Sequence, residues 1–126
     1  MQAYLAIKFH ENHSNRKLIE QLSNSLLKMG IKSTIMTRDF EKWGSVKYTT
    51  KQLMDLTFKE ISKSEILIVE FSEKGVGLGI EAGYAYANNI PVIVIAKENS
   101  PISNTLKGIA KRIVFYKYPS ELPKII

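Results

Sequence analysis

Five short apolar runs, separated by segments with helical spacing, constrain the fold of this chain more than any other feature. The runs occupy residues 3–9, 32–37, 65–71, 91–97 and 112–118. Val, Ile, Leu, Tyr and Phe dominate all of them except 32–37, which predicts a more exposed strand. Near-continuous apolar strands are typical of a parallel sheet that helices cover on both faces. We therefore predict a single-domain α/β protein over residues 1–126, with a doubly wound five-stranded parallel sheet of flavodoxin-like order in three α/β/α layers.

The segments between these runs carry helix and loop signals. Ser14 and Thr50 are candidate N-caps, and a helix is predicted after each of them. Two further helices are predicted at 79–89 and 103–110, with a terminal helical turn at 120–126. Residues 38–50 are polar and predict a long loop. Loops of this length in compact domains are usually functional or disordered.

Composition narrows the classes of protein. The chain has 44% hydrophobic and 24% charged residues, an ordinary globular composition. No apolar run approaches the ~18 residues that a membrane span needs, and the N-terminal residues lack a signal-peptide pattern. Absence of cysteine excludes a disulfide framework and thiolate metal sites. We therefore predict a cytoplasmic protein without a membrane partner.

The net charge of +6 comes from 18 Lys and Arg against 12 Asp and Glu. Basic proteins bind nucleic acids or small anions such as phosphates. The lysines are scattered among acidic residues, and no basic stripe with stacking aromatic residues is present. The pattern therefore predicts no nucleic-acid polymer as partner, and it leaves a small-anion site or a solvated surface.

The stretch "GVGLGIEAGYA" places Glu81 behind glycines at 75, 77 and 79. It follows the third strand, so it lies at the carboxyl edge of the sheet, where ligands bind in doubly wound folds.

Three interpretations of this stretch stay open. Gly77, Gly79 and Ala82 match a dinucleotide-binding fingerprint, although "SEKG" separates the strand from the glycines. A structural interpretation needs only small residues against the sheet and an acid in the first helical turn, worth about 0.3–1 kcal/mol. The third is a catalytic carboxylate, Glu81, which attacks an anomeric carbon as in retaining glycosyl transfer.

The stretch "SEILIVEFSEKGVGLGIEAGYA" resembles the nucleoside 2-deoxyribosyltransferase family and the related 2′-deoxynucleoside 5′-phosphate N-hydrolases. The similarity extends to the first strand and loop (4–13), to "LIEQLSNSLLKMG" and to "PVIVIAKENSPISNTLKGIA". The family loop reads roughly D/S-x-G-x-G-x-E-x-G-x-A, and its glutamate is the nucleophile. The resemblance implies that Glu81 forms a glycosyl-enzyme intermediate.

The resemblance also implies a second carboxylate and a substrate-binding set. The family carries an aspartate on the preceding helix that assists protonation of the leaving base; ungapped matching places Thr57 there. Asp55 is the candidate if the helix begins later or is locally unwound. The residues assigned to substrate binding are Phe9, His10, Gly75, Gly77, Gly79, Ser103 and Asn104, with Ser103 matching a phosphate-binding serine and Gly75 replacing a polar residue.

A metal site and a cofactor are not predicted. His10 and His13 flank Glu11, but a third ligand is not evident. The predicted function is cleavage or exchange of the N-glycosidic bond of a (deoxy)nucleoside or nucleoside 5′-monophosphate. The alternative is a non-catalytic nucleotide-binding or sensing module on the same fold. The resemblance further implies a homodimer or higher homo-oligomer.

Overall fold

A single five-stranded sheet runs through the whole molecule, with every neighbouring pair of strands parallel. The computed structural model describes residues 1–126, and the strand order is β2–β1–β3–β4–β5. The strands are β1 (Gln2–Ile7), β2 (Lys32–Thr34), β3 (Ile66–Glu70), β4 (Val92–Lys97) and β5 (Arg112–Tyr116). This order is the flavodoxin-like one, so the predicted fold class is confirmed.

Helices cover both faces of the sheet. They are α1 (Arg16–Leu27), α2 (Met36–Asp39), α3 (Thr50–Ser62), α4 (Val76–Ala87), α5 (Asn104–Ile109) and α6 (Leu122–Ile125), with 3₁₀ turns at Lys42–Gly44 and Pro119–Glu121. Helices α1 and α6 lie on one face, whereas α3, α4 and α5 lie on the other. The three layers follow from the alternation of side chains along each strand.

Strand β1 shows how the two cores form. Tyr4 and Ala6 point to the face of α3 and α4, while Ala3 and Leu5 point to the face of α1. All four are almost completely buried. The apolar run is continuous because both faces of the strand are covered.

The segment after β2 differs from its prediction. The strand ends at Thr34 rather than at 37, and the chain turns directly into α2. An Asp39 carboxylate oxygen accepts a 2.8 Å hydrogen bond from the Ile35 backbone N–H and so closes the N-terminal turn of this short helix, while the Arg38 guanidinium pairs with the same carboxylate. The predicted loop 38–50 therefore contains the end of α2 and a 3₁₀ turn.

The first residues of α1, α3 and α4 also differ from those that the sequence predicts. Asn15 rather than Ser14 flanks α1, and neither side chain caps it. Thr49 rather than Thr50 caps α3, in a capping box with Gln52. Helix α4 begins at Val76 rather than at Gly79. The early start of α4 places Gly77 and Gly79 inside the helix instead of in a loop, because packing of Leu78, Ala82 and Ala85 on the sheet outweighs the low helix propensity of glycine.

None of these helices combines the length and the apolar character that a membrane crossing requires.

Neighbouring leucines at the end of α1 allow a matched test of the core. Leu26 is fully buried against the sheet, whereas Leu27 is 61% exposed. We expect Leu26→Ala to lower the free energy of unfolding by about 2–5 kcal/mol, because it removes buried methyl groups and leaves a cavity. We expect Leu27→Ala to change it by less than about 0.5 kcal/mol. Urea unfolding followed by circular dichroism measures both; equal losses would contradict the packing described.

Candidate active site

A cavity of about 400 Å³ opens at the carboxyl edge of the sheet, beside β1. Its walls come from β1 and the loop after it, from the segment after β2, from α3 and from the start of α4. Most lining residues are apolar, and the ionisable side chains among them are Tyr4, Lys8, Glu41 and Glu81. Apolar walls with a few polar groups are typical of a small-molecule site.

Glu81 projects from the second turn of α4 into this cavity. The hydroxyl of Tyr4, on β1, donates a long hydrogen bond of 3.4 Å to its Oε1. Burial raises the pKa of Glu81 to about 7, and the hydrogen bond from Tyr4 works in the opposite direction. Burial, together with the negative charge of Glu81, holds the pKa of Tyr4 well above its ordinary value, so this side chain stays a hydrogen-bond donor.

The glycines predicted to bind substrate all border cavity space. Gly75 and Gly77 line the cavity of Glu81, and Gly79 lines a second cavity on the neighbouring side of α4. Apart from its chain neighbours and the adjacent helix backbone, a Cβ atom at Gly77 or Gly79 would meet nothing within 4 Å, whereas one at Gly75 would approach the Lys8 side chain at 3.3 Å. Packing within the chain therefore does not explain why positions 77 and 79 lack side chains.

Asp55 lies outside this cavity. Its side chain is exposed and pairs with Lys51 at 2.7 Å one turn earlier on α3. Because α3 begins one residue earlier than predicted, the late start that Asp55 requires is not present. Thr57 faces the cavity instead, buried, with its hydroxyl donating to the backbone carbonyl of Leu53 at 2.8 Å.

Phe9 and His10 lie at the rim. Phe9 lines the cavity and is 53% exposed, a position from which its ring is free to stack on a ligand. His10 does not line the cavity; its Nδ1 lies 2.6 Å from the Ser14 hydroxyl and its Nε2 lies 3.0 Å from the Glu73 carboxylate. His10 therefore joins the loop after β1 to the loop after β3.

The second cavity, of about 720 Å³, lies between α4 and α5. Its lining includes Lys8, which also borders the first cavity, together with Lys74, Ser103 and Thr105. Ser103 also caps α5, its Oγ accepting from the Leu106 N–H at 3.3 Å. Asn104 is exposed and lines neither cavity.

The pair of histidines considered as a metal site is separated. His13 packs edge-on against Phe9 and Trp43, whereas His10 contacts Glu73. No group of three or more His, Asp or Glu side chains comes together in a way that would hold a metal ion.

Sequence reasoning missed Tyr4 and Glu41. Tyr4 is hidden inside an apolar strand, where its hydroxyl has no distinguishing pattern. Glu41 follows β2 and α2. The sequence signal for it is that this segment begins at the carboxyl edge of the sheet, where ligands bind in doubly wound folds. Both side chains line the same cavity as Glu81.

Solved structures of other proteins share the fold of this chain. A 2-deoxyribosyltransferase from the psychrotolerant bacterium Bacillus psychrosaccharolyticus is 13% identical, with a TM-score of 0.76 over 98% of this chain and 90% of that one. A conserved protein from Enterococcus faecalis V583 is 15% identical, with a TM-score of 0.79 over 98% and 95%. A CMP N-glycosidase from Clostridium botulinum is 19% identical, with a TM-score of 0.69 over 98% and 96%.

At these identities the likeness establishes a shared fold. No protein-family model matches the chain. No curated protein matches it either. Two of the three similar structures are a 2-deoxyribosyltransferase and an N-glycosidase, so this fold carries enzymes that transfer or cleave nucleoside glycosyl groups.

The raised pKa of Glu81 predicts how stability depends on pH. The folded state keeps this proton up to about 7, whereas the unfolded chain releases it near 4.5, so the buried charge lowers stability as the pH rises through that interval. We expect Glu81→Gln to unfold with a free energy on the order of 1–3 kcal/mol higher than wild type at about pH 8. Near pH 4 the difference should vanish, because both states then hold the proton.

Urea unfolding at the two pH values measures this difference. The exposed Asp55→Asn variant, which loses a carboxylate outside the cavity, serves as the control and should show no such gain. A Glu81→Gln variant that is no more stable than wild type at the higher pH would mean that Glu81 is not buried as described.

Proposed function

We propose that this chain cleaves or exchanges the N-glycosidic bond of a (deoxy)nucleoside or nucleoside 5′-monophosphate, with Glu81 as the nucleophile. The observation that carries this proposal is the position of the Glu81 carboxylate, which faces an apolar cavity at the ligand-binding edge of the sheet and contacts the protein through one hydroxyl, that of Tyr4. The enzymes of similar fold support the substrate class.

In this reaction a Glu81 oxygen attacks the anomeric carbon. The bond from that carbon to the base nitrogen breaks, and its electron pair leaves with the base. Water or a second base then attacks the same carbon and releases Glu81. Tyr4 orients the attacking carboxylate, because its hydroxyl donates to one oxygen and leaves the other available.

The glycines support the same proposal. Glycine in a helix costs about 1 kcal/mol relative to alanine, and side chains at 77 and 79 would meet only open space. Their absence leaves room for a ligand beside Glu81. Gly75, Gly77 and Gly79 are therefore assigned to substrate binding, with Phe9 stacking on the base.

The second cavity supports a 5′-monophosphate as substrate. Lys8 and Lys74 bring two positive charges, and Ser103 and Thr105 bring hydroxyl groups, to the second cavity. This cavity shares Lys8, Gly75 and Val76 with the cavity that Glu81 lines. A phosphate there lies beside the first turns of α4, whose free N–H groups favour anions. His10 and Asn104 line neither cavity, so a substrate contact by them requires movement of their loops.

The function is tested by Glu81→Gln. The variant keeps the shape of the side chain but has no nucleophilic carboxylate, so we expect release of free base to fall by more than about 10³-fold while the fold is retained. Chromatography of reactions with a panel of nucleosides and nucleoside 5′-monophosphates measures the free base. Asp55→Asn, at an exposed ion pair, is the control and should keep wild-type turnover.

Unchanged turnover in Glu81→Gln would contradict the covalent mechanism. Binding of the same compounds by a wild-type protein that releases no base would instead favour the alternative function, a nucleotide-binding or sensing module.

We also propose that the chain forms a homodimer. The outer face of α4 is apolar along its whole length, with Val76 83% and Ile80 48% exposed and with Gly83 and Ala87 on the same side. Tyr86 adds to this surface, whereas Tyr84 is engaged within the chain, stacked on Phe58 and bonded to Ser62. Helix α4 carries Glu81, so a second copy packed here would lie close to the cavity. A cytoplasmic location remains the expectation from the sequence.

We expect light scattering at micromolar concentration to give at least the mass of a dimer. Ile80→Lys places a charge on the outer face of α4 and should shift the protein toward monomer. Leu27→Lys, a matched change at an exposed leucine on the opposite layer, should leave the mass unchanged. A monomeric wild-type protein would contradict the proposed assembly.

A further inference from the structure

Breaking an N-glycosidic bond requires a proton for the departing base, and the Glu81 carboxylate cannot supply it while it attacks the sugar. A general acid in this role contributes about 10²–10⁴-fold to the rate. Under the proposed function, on which this step rests, one of the groups that line the cavity has to donate this proton.

Most of the polar groups that face the cavity are unsuited to the task. The Tyr4 phenol is a very weak acid here, because burial and the charge of Glu81 keep its proton in place. The Thr57 hydroxyl is committed to the carbonyl of Leu53. The Lys8 ammonium group donates to the backbone carbonyl of Lys74 at 3.0 Å. Asp55 is outside the cavity, in its exposed pair with Lys51.

Glu41 is the remaining carboxyl group that lines the cavity. Glu41 and Glu81 line the same cavity, and after burial and the charge of Glu81, the charge of Glu41 adds in a small way to the raised pKa of Tyr4. The Glu41 side chain takes part in no hydrogen bond or ion pair within the chain, and it is only partly exposed. A carboxyl group that is held at a cavity without a protein partner is free to bind a ligand.

The backbone holds Glu41 in place. Its N–H donates to the carbonyl of Met36 at 3.0 Å, and its own carbonyl accepts from the N–H groups of Gly44 and Val46 at 2.9 and 3.0 Å. The following turn is anchored by Trp43, whose ring lies 4.5 Å from the guanidinium carbon of Arg16 on α1. Hydrogen bonds on both sides of the residue therefore fix the backbone from which the Glu41 side chain extends.

We propose that Glu41 is the second catalytic carboxyl of this site and contacts the leaving base. As the bond between the anomeric carbon and the base nitrogen breaks, the Glu41 proton moves to the base, and Glu41 becomes a carboxylate. In the second step Glu41 takes a proton from the attacking water or base, the new bond forms at the anomeric carbon, and the electron pair of the ester bond returns to Glu81. Both carboxyl groups thus end each cycle as they began.

With these roles, the two ends of the cavity hold different parts of the substrate. Glu81 and Tyr4 hold the sugar end, and Glu41, together with Phe9, holds the base.

The experiment compares two leaving groups. The first substrate is a nucleoside or monophosphate whose base the wild-type protein releases. The second is its N-methylated cationic counterpart (7-methyl-2′-deoxyguanosine for a guanine substrate), whose base departs as a neutral molecule without gaining a proton. We expect Glu41→Gln to lower base release from the first substrate by about 10²–10⁴-fold and from the second by less than about threefold. Glu41→Asp, which keeps the acid on a shorter arm, should recover at least about tenfold over Glu41→Gln.

The controls separate this inference from the function on which it rests. Glu81→Gln should lose activity on both substrates, and Asp55→Asn on neither. Equal losses on both substrates in Glu41→Gln, or wild-type activity on both, would overturn the role of Glu41 while leaving the role of Glu81 intact. No base release by the wild-type protein from either substrate would overturn the proposed function and this inference together. The thermal midpoint of Glu41→Gln should match wild type, because the side chain has no partner in the fold.

Discussion

The pairing of β1 with β3 at the centre of the sheet determines where Tyr4 and Glu81 lie. The two strands run parallel, in a register that sets Ala3 opposite Ile66 and Ile7 opposite Glu70. The helices that follow them, α1 and α4, cover opposite faces, so the chain diverges at the carboxyl edge and leaves a crevice there. Tyr4 from β1 and Glu81 from α4 meet in that crevice. Any slip of this register would separate them and turn the apolar side chains to the wrong faces.

A buried carboxylate at the end of β3 fixes the chain that leaves the sheet. Glu70 is 2% exposed and accepts hydrogen bonds from the Ser72 N–H, the Ser72 hydroxyl and the Tyr116 hydroxyl. The Ser72 oxygen in turn accepts from the Lys97 N–H at 2.9 Å, which ties β3, β4 and β5 together at one edge. A buried charge is costly unless its oxygens are satisfied, and here they are. This network sets the path toward α4 and hence the position of Glu81.

Periodicity was enough to predict the sheet, its layers and its order, because strands buried on both faces have a composition that few other elements share. It was not enough for the boundaries of β2 and α4. Gly77 and Gly79 have low helix propensity, and only the packing of Leu78 and Ala82 on the sheet, which no local pattern contains, makes that segment helical. The motif around Glu81 predicted a residue that lines the cavity. Glu41 was not predicted, because only the fold brings it to the same cavity as Glu81, which lies 40 residues later in the chain.

Several features that are unfavourable for stability lie at or near this cavity. Glu81 is held with a pKa raised by burial, and the helical Gly77 borders the open cavity. Lys42 and Trp43, which follow Glu41 in the chain, adopt positive φ angles of 49° and 57°. Backbone of this kind costs on the order of 1–3 kcal/mol per residue and persists where the surrounding structure enforces it. The sheet itself follows the ordinary rules, with strands buried on both faces, apolar helix faces packed on it and a satisfied buried carboxylate at Glu70. Other positive φ angles occur at His13, Asn89 and Asn99, in the connections between elements. A raised carboxyl pKa and a helical glycine at the same ligand-sized cavity are local departures of the kind that proteins keep at functional sites.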